Sequence, residues 1–193
     1  RAARPLTRSM PVAVSFKLPS AEPLSREPKV AVLDGGLPTA HVLDDYVRRY
    51  FLSDEAAADV PDFAEHGLGV TSALLFGPIE PDSTAERPYA PVDHHRVLDA
   101  RISGEDPYEL YRTLGHVETV LLSRQYQFIN LSLGPDMPVE DQDVHAWTAV
   151  IDSLLSDGET LMTVAIGNNG ERDAALGLNR IQVPADSVNA ISV

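Results

Sequence analysis

The chain is 193 residues long, 44% hydrophobic and 23% charged, enough to bury one sizeable core but without the ~18-residue apolar run that a membrane span requires. The net charge of -14 is unevenly placed: residues 1–29 hold six Lys or Arg and two acids, leaving 9 basic and 27 acidic side chains in the remainder, a balance of -18. Such an acidic body repels phosphate backbones and argues against nucleic acid as a partner, and the lack of any cysteine excludes disulfides and thiolate chemistry.

Residues 1–28 contain prolines at 5, 11, 19, 23 and 28, with only "VAVSF" between them able to form a strand, and read as a linker or an extended arm laid over a surface. The sequence opens on Arg1 and not Met, so an upstream portion is allowed for, and the lack of a charged-apolar secretory pattern does not decide the compartment. From Lys29 strand and helix signals alternate. "KVAVLD" suits a strand buried on both faces. "HVLDDYVRRYFL" and the acidic "SDEAAADVPDF" read as a surface connection, and "HGLGVTSALLFG", 66–77, as a tightly packed helix with small residues at its start.

"RVLDARIS" reads as a second strand, with His94 and His95 before it in a surface loop. Leu110, Leu114, Val117 and Leu121 recur at helical spacing and mark an amphipathic helix. "QFINLSLG" is a strand, "DVHAWTAVIDSLLSDG" a helix with Trp147, Val150, Ile151 and Leu154 facing the core, "TLMTVAIGNNG" another strand, and "RIQVPADSVNAISV" closes with one more. The alternation predicts an α/β fold with a mostly parallel sheet and helices on both faces, in which functional groups gather where strands end.

Three strand ends carry polar punctuation: Asp34-Gly35-Gly36, Ser132-Leu133-Gly134 and Gly167-Asn168-Asn169-Gly170. A strand-end carboxylate such as Asp34 serves phosphoryl transfer, metal binding, orientation of a histidine, or simply the capping of a turn. His66, heading a helix of small residues, is a candidate base if a carboxylate holds its Nδ1–H. The Asn168 amide follows a strand-end glycine and can aim its donors at an oxyanion, although Gly-Asn is also an ordinary turn.

Taken together and in this order, "VAVLDGG", "HGLGVTS", "NLSLG" and "AIGNNG" resemble the subtilisin-like serine proteases over nearly all of residues 29–193, with Asp34 and His66 separated by 66 minus 34, or 32, residues. The resemblance implies the N-terminal part of a peptidase domain, an incomplete subtilisin-like fold without cofactor. Within it Asp34 would orient His66, His66 would act as base, and Asn168 would hold the oxyanion. Ser132, Leu133 and Gly134 would bind an extended polypeptide substrate as an added strand.

The family's nucleophile sits in a Gly-Thr-Ser-like block well beyond the oxyanion asparagine. Only 193 minus 168, or 25, residues follow Asn168 here, no "GTS" occurs, and Ser187 and Ser192 fall in a segment that resembles the family's pre-serine region. The serine is therefore expected beyond Val193, the alternative being a catalytically inactive peptide-binding module. A phosphohydrolase with Asp34 as nucleophile is the rival from another class; it requires magnesium and a second carboxylate near Asp34, and it gains if His66 lies far from Asp34. "DGG" and "HGLG" are similar to a bacterial intracellular subset encoded beside AAA ATPases, which implies such an ATPase as partner and a cytoplasmic location, the alternative being secretion, as for many of the subtilisin-like proteases. The acidic stretch from Asp54 to Asp62 lacks a calcium-ligand pattern and is expected to be a solvated face; no metal site is expected.

Overall fold

The structure is a computed structural model that describes residues 3–5, 16–102 and 108–193. Its elements are β1 (Ala3–Pro5), β2 (Val30–Asp34), a 3-10 turn (Asp44–Tyr46), β3 (Val47–Leu52), α1 (Pro61–Phe76), β4 (Val92–Arg96), α2 (Glu109–Leu122), β5 (Phe128–Leu131), β6 (Leu133–Pro135), α3 (Ala146–Leu155), β7 (Leu161–Val164) and β8 (Ile191–Ser192). Six of the strands form one sheet in the order β3-β4-β2-β5-β7-β8, and every pairing in it is parallel. A separate antiparallel pair joins β1 to β6. The expected α/β architecture with a mostly parallel sheet is the one observed.

The period-two alternation of strand side chains divides the core into two layers. Ala31 and Leu33 of β2 join Ile129, Leu131, Met162 and Val164 beneath Leu114, Val117 and Leu121 of α2 and Trp147 and Ile151 of α3. Val32 faces the other way, toward Leu75 and Phe76 of α1. A sheet covered by helices on both faces leaves its strand ends as the open place for polar groups, and β2 sits near its centre.

Two expectations fail on the same side of the sheet. The run taken as a surface connection contains β3, an edge strand paired with β4 from Val47↔Val92 to Leu52↔Arg96. The strand expected at "RVLDARIS" lies earlier, as β4, so His94 and His95 are buried in it at 0% and 9% exposure and are not in a surface loop. Each polar side chain of β4 is matched from a distant segment. Arg48 grips Asp93 through Nε and Nη2 at 2.8 and 2.9 Å. The Tyr126 hydroxyl donates to Asp93 at 3.0 Å and lies 2.8 Å from His95 Nε2, which must then carry the proton, and Thr71 Oγ1 lies 3.0 Å from His94 Nδ1.

α1 begins at Pro61, one turn before the expected start, which puts His66 in its second turn. Proline at the first helical position needs no N–H partner, which suits that start. Residues 12–15 of the possible strand "VAVSF" lie outside the described residues.

Candidate active site

The first turn after β2 is set by close packing. Gly36 has φ +104°, in the left-handed region that glycine favours, and this sends the backbone away immediately after Asp34. The sheet-facing stripe of α1 runs Ala64, Gly67, Thr71, Leu75 and is small at its start. A Cβ on Gly67 would lie 2.1 Å from the Gly36 carbonyl oxygen, so only glycine lets the helix lie this close to the turn. His66, adjacent to that contact, is thereby brought over the end of β2.

The Asp34 side chain is fully buried and that of His66 is 8% exposed. His66 Nδ1 lies 2.8 Å from Asp34 Oδ1, and the Gly35 N–H donates to the same oxygen at 2.7 Å. With Asp34 ionised, Nδ1 is the donor, which leaves Nε2 as the ring's acceptor. Burial pushes the Asp34 carboxyl up, against the opposing pull of the His66 and Gly35 hydrogen bonds. Asp34 Oδ2 is buried with no hydrogen-bond partner among the described residues.

The remaining candidates follow β5 and β7, the next two strands in the sheet beyond β2. Leu33 is level with Leu131, and Leu131 with Val164, so Asp34, Ser132 and Ala165 leave the sheet at one level, and Gly167-Asn168 follows shortly after. The Ser132 hydroxyl accepts a hydrogen bond from Asn130 Nδ2 at 2.9 Å, and Asn130 Oδ1 accepts one from Thr163 Oγ1 at 2.9 Å. Leu133 and Gly134 are buried, and both belong to β6. Asn168 is exposed, while its neighbour Asn169 is buried and donates to Asp136 Oδ1 at 3.3 Å.

β6 already carries an extended segment. Arg4 is level with Gly134 and Pro5 with Leu133 in the antiparallel β1–β6 pair, so the edge expected to receive a peptide backbone receives the protein's own arm.

Arg96 and His94 border this site without belonging to any of the four sequence motifs. Both lie on the α1 side of β4, where Arg96 is level with Asp34 and His94 with Val32. The period-two spacing of Val92, His94 and Arg96 carried that signal, masked by the polarity of "DHHR". Among the described residues no group of three or more His, Asp or Glu side chains could hold a metal ion, and no helix is long and apolar enough to cross a membrane.

Among solved structures, the protease domain of PatA matches with a TM-score of 0.58 at 20% identity, covering 90% of this chain and 59% of that one. Pseudomonas sedolisin, a serine-carboxyl proteinase, matches with a TM-score of 0.53 at 13% identity, covering 90% of this chain and 50% of that one. The A-subunit of the AB5 toxin from E. coli matches with a TM-score of 0.51 at 16% identity, covering 82% of this chain and 50% of that one. The protein has the subtilisin-like fold. It spans between half and three fifths of the length of these subtilisin-like neighbours. No family model matches the sequence, and no curated protein matches it.

Proposed function

We propose that this protein supplies the Asp and His of a serine endopeptidase, with the nucleophilic serine located beyond Val193. The reading rests on one observation above the others: the buried 2.8 Å contact between His66 Nδ1 and Asp34 Oδ1 at the carboxyl edge of a subtilisin-like sheet. The same contact gives no support to the phosphohydrolase rival, which would gain from a separation of the two residues.

In the proposed reaction an extended polypeptide lies along β6. The serine Oγ attacks the scissile carbonyl carbon while its proton passes to His66 Nε2, and Asp34 stabilises the imidazolium through Nδ1–H. The carbonyl oxygen becomes an oxyanion and takes a hydrogen bond from the Asn168 amide. Collapse of the tetrahedral intermediate breaks the C–N bond, and His66 gives its proton to the leaving amine. Water then repeats the sequence on the acyl-enzyme and releases the acid. The exposed position of Asn168, one residue from the held Asn169, is compatible with an amide directed at substrate.

The test is turnover of an unfolded protein substrate by the longest natural form of the protein. Loss of turnover in His66→Ala and Asp34→Asn, with the thermal transition retained, is expected; Asp34→Asn should cost about 10⁴-fold because it favours the wrong tautomer. Unchanged turnover would remove both residues from the mechanism. Peptide binding without turnover in the unmodified protein would favour the inactive binding module.

A further inference from the structure

We infer that Arg96 is a positioning residue for the His66–Asp34 pair, acting through the segment that leads into α1. The inference rests on the peptidase reading for its consequence in catalysis, but the geometry is independent of it.

Arg96 is the last residue of β4, and its side chain is 2% exposed. Arginine in that place is expensive: withdrawing a guanidinium from water costs several kcal/mol, and a buried ion pair is often no better for stability than well-packed apolar side chains. Its presence there is better explained by the arrangement that its hydrogen bonds impose.

Those bonds all go to one short segment. Nη1 donates to the Asp59 carboxylate, and Nη2 donates to the carbonyl oxygens of Asp54 and Ala57 at 2.6 and 2.9 Å. Asp54, Ala57 and Asp59 belong to the connection between β3, which ends at Leu52, and α1, which starts at Pro61. The guanidinium therefore fixes the strap from which α1 starts, five residues before His66.

The stem of the same side chain faces the other partner. A Cβ on Gly36 would lie 3.2 Å from both Cγ and Cδ of Arg96, so the turn after Asp34 rests directly on it. Tyr50 supports the same turn, its hydroxyl accepting from the Leu37 N–H at 3.3 Å. One residue thus touches the turn that carries Asp34 with its stem and the strap that leads to His66 with its head. It sets the spacing between two segments that come from different parts of the sequence. Misplacement of a catalytic group by about 1 Å can cost on the order of 100-fold in rate, so such a brace has catalytic consequences without touching substrate.

The experiment compares Arg96→Lys and Asp59→Asn with the unmodified longest natural form. It reads the peptidase kcat and KM, the thermal transition, and the NMR resonance of the proton between His66 Nδ1 and Asp34 in ¹⁵N-histidine-labelled protein. Lysine keeps the charge but gathers its donors on one nitrogen in place of the planar fork that serves the three acceptors; asparagine at 59 removes the negative charge while its Oδ1 can still accept, on a side chain that is 57% exposed. The expected result is a folded Arg96→Lys protein with kcat lowered roughly tenfold at unchanged KM, the Nδ1 proton signal broadened or lost, and a smaller change of the same kind in Asp59→Asn. Folded variants with kcat and the Nδ1 signal unchanged would overturn the inference. If Arg96→Lys fails to fold, Asp59→Asn alone decides by the same two readouts. If no form hydrolyses peptide yet the signal is lost in the folded variants, the positioning role stands and the peptidase reading falls.

Discussion

Gly67 packs against the Gly36 carbonyl so closely that even a methyl group between them would sit 2.1 Å from the oxygen. Two glycines from separate elements, the helix of His66 and the turn of Asp34, thus set the height of α1 over the sheet. Gly67→Ala is expected to lift the helix and destabilise the fold by about 1–3 kcal/mol, the usual cost of overpacking. It should also lower turnover in whatever fraction remains folded. Denaturant titration and active-site kinetics on one preparation check it; full stability and full turnover would show that the contact is slack.

Asn168→Ala should lower kcat by about 10²–10³-fold and leave KM nearly unchanged, because an oxyanion exists chiefly in the transition state. The asparagine is exposed, so little loss of stability should accompany it. Steady-state kinetics decide the matter: a change confined to KM would assign Asn168 to ground-state binding.

The two buried histidines of β4 make stability depend on pH. Burial lowers His94 from 6.5 to about 3 and His95 from 6.5 to about 4, with Asp93 opposing the shift at His95. Below pH 6.5 the unfolded protein binds protons that the folded protein refuses, so this contribution is fully present above 6.5 and is lost as pH falls through the window to about 4 and 3. Each histidine contributes a slope of about 1.4 kcal/mol per pH unit within its window. Denaturant titrations between pH 7 and 5 should show stability falling with acidification, and His95→Gln should make the fall shallower. A flat profile would contradict the buried neutral state of the pair.

The β1–β6 pairing places the arm on the strand proposed to receive substrate. Deleting residues 1–5 should therefore tighten peptide binding or raise kcat/KM at low substrate concentration, without loss of the thermal transition. Unaltered peptide affinity after the deletion would separate the arm from the peptide-binding edge.

The sequence made some of these elements legible and hid others for physical reasons. β2 could be read because Val30–Leu33 is a continuous apolar run between two covered faces, and α2 because its leucines repeat at helical spacing. β3 was obscured because an edge strand needs no such run, and Arg48 and Arg49 look like surface charge; one of them reaches inward to Asp93. β4 was misplaced because Asp93, His94, His95 and Arg96 are matched by Arg48, Thr71, Tyr126 and Asp59, partners from four other segments that no local pattern reveals. The same holds at the site. The order of Asp34, His66, Ser132 and Asn168 along the sequence suggested a shared edge, whereas the Arg96 brace depends on the β2–β4 register, which only the folded sheet provides.

The most direct test of the account is to treat the longest natural form of the protein with a fluorophosphonate and locate the adduct by mass spectrometry. A single labelled serine beyond Val193 is expected, with labelling abolished in folded His66→Ala protein. A well-folded, full-length protein that takes no label, or labels equally without His66, would contradict it.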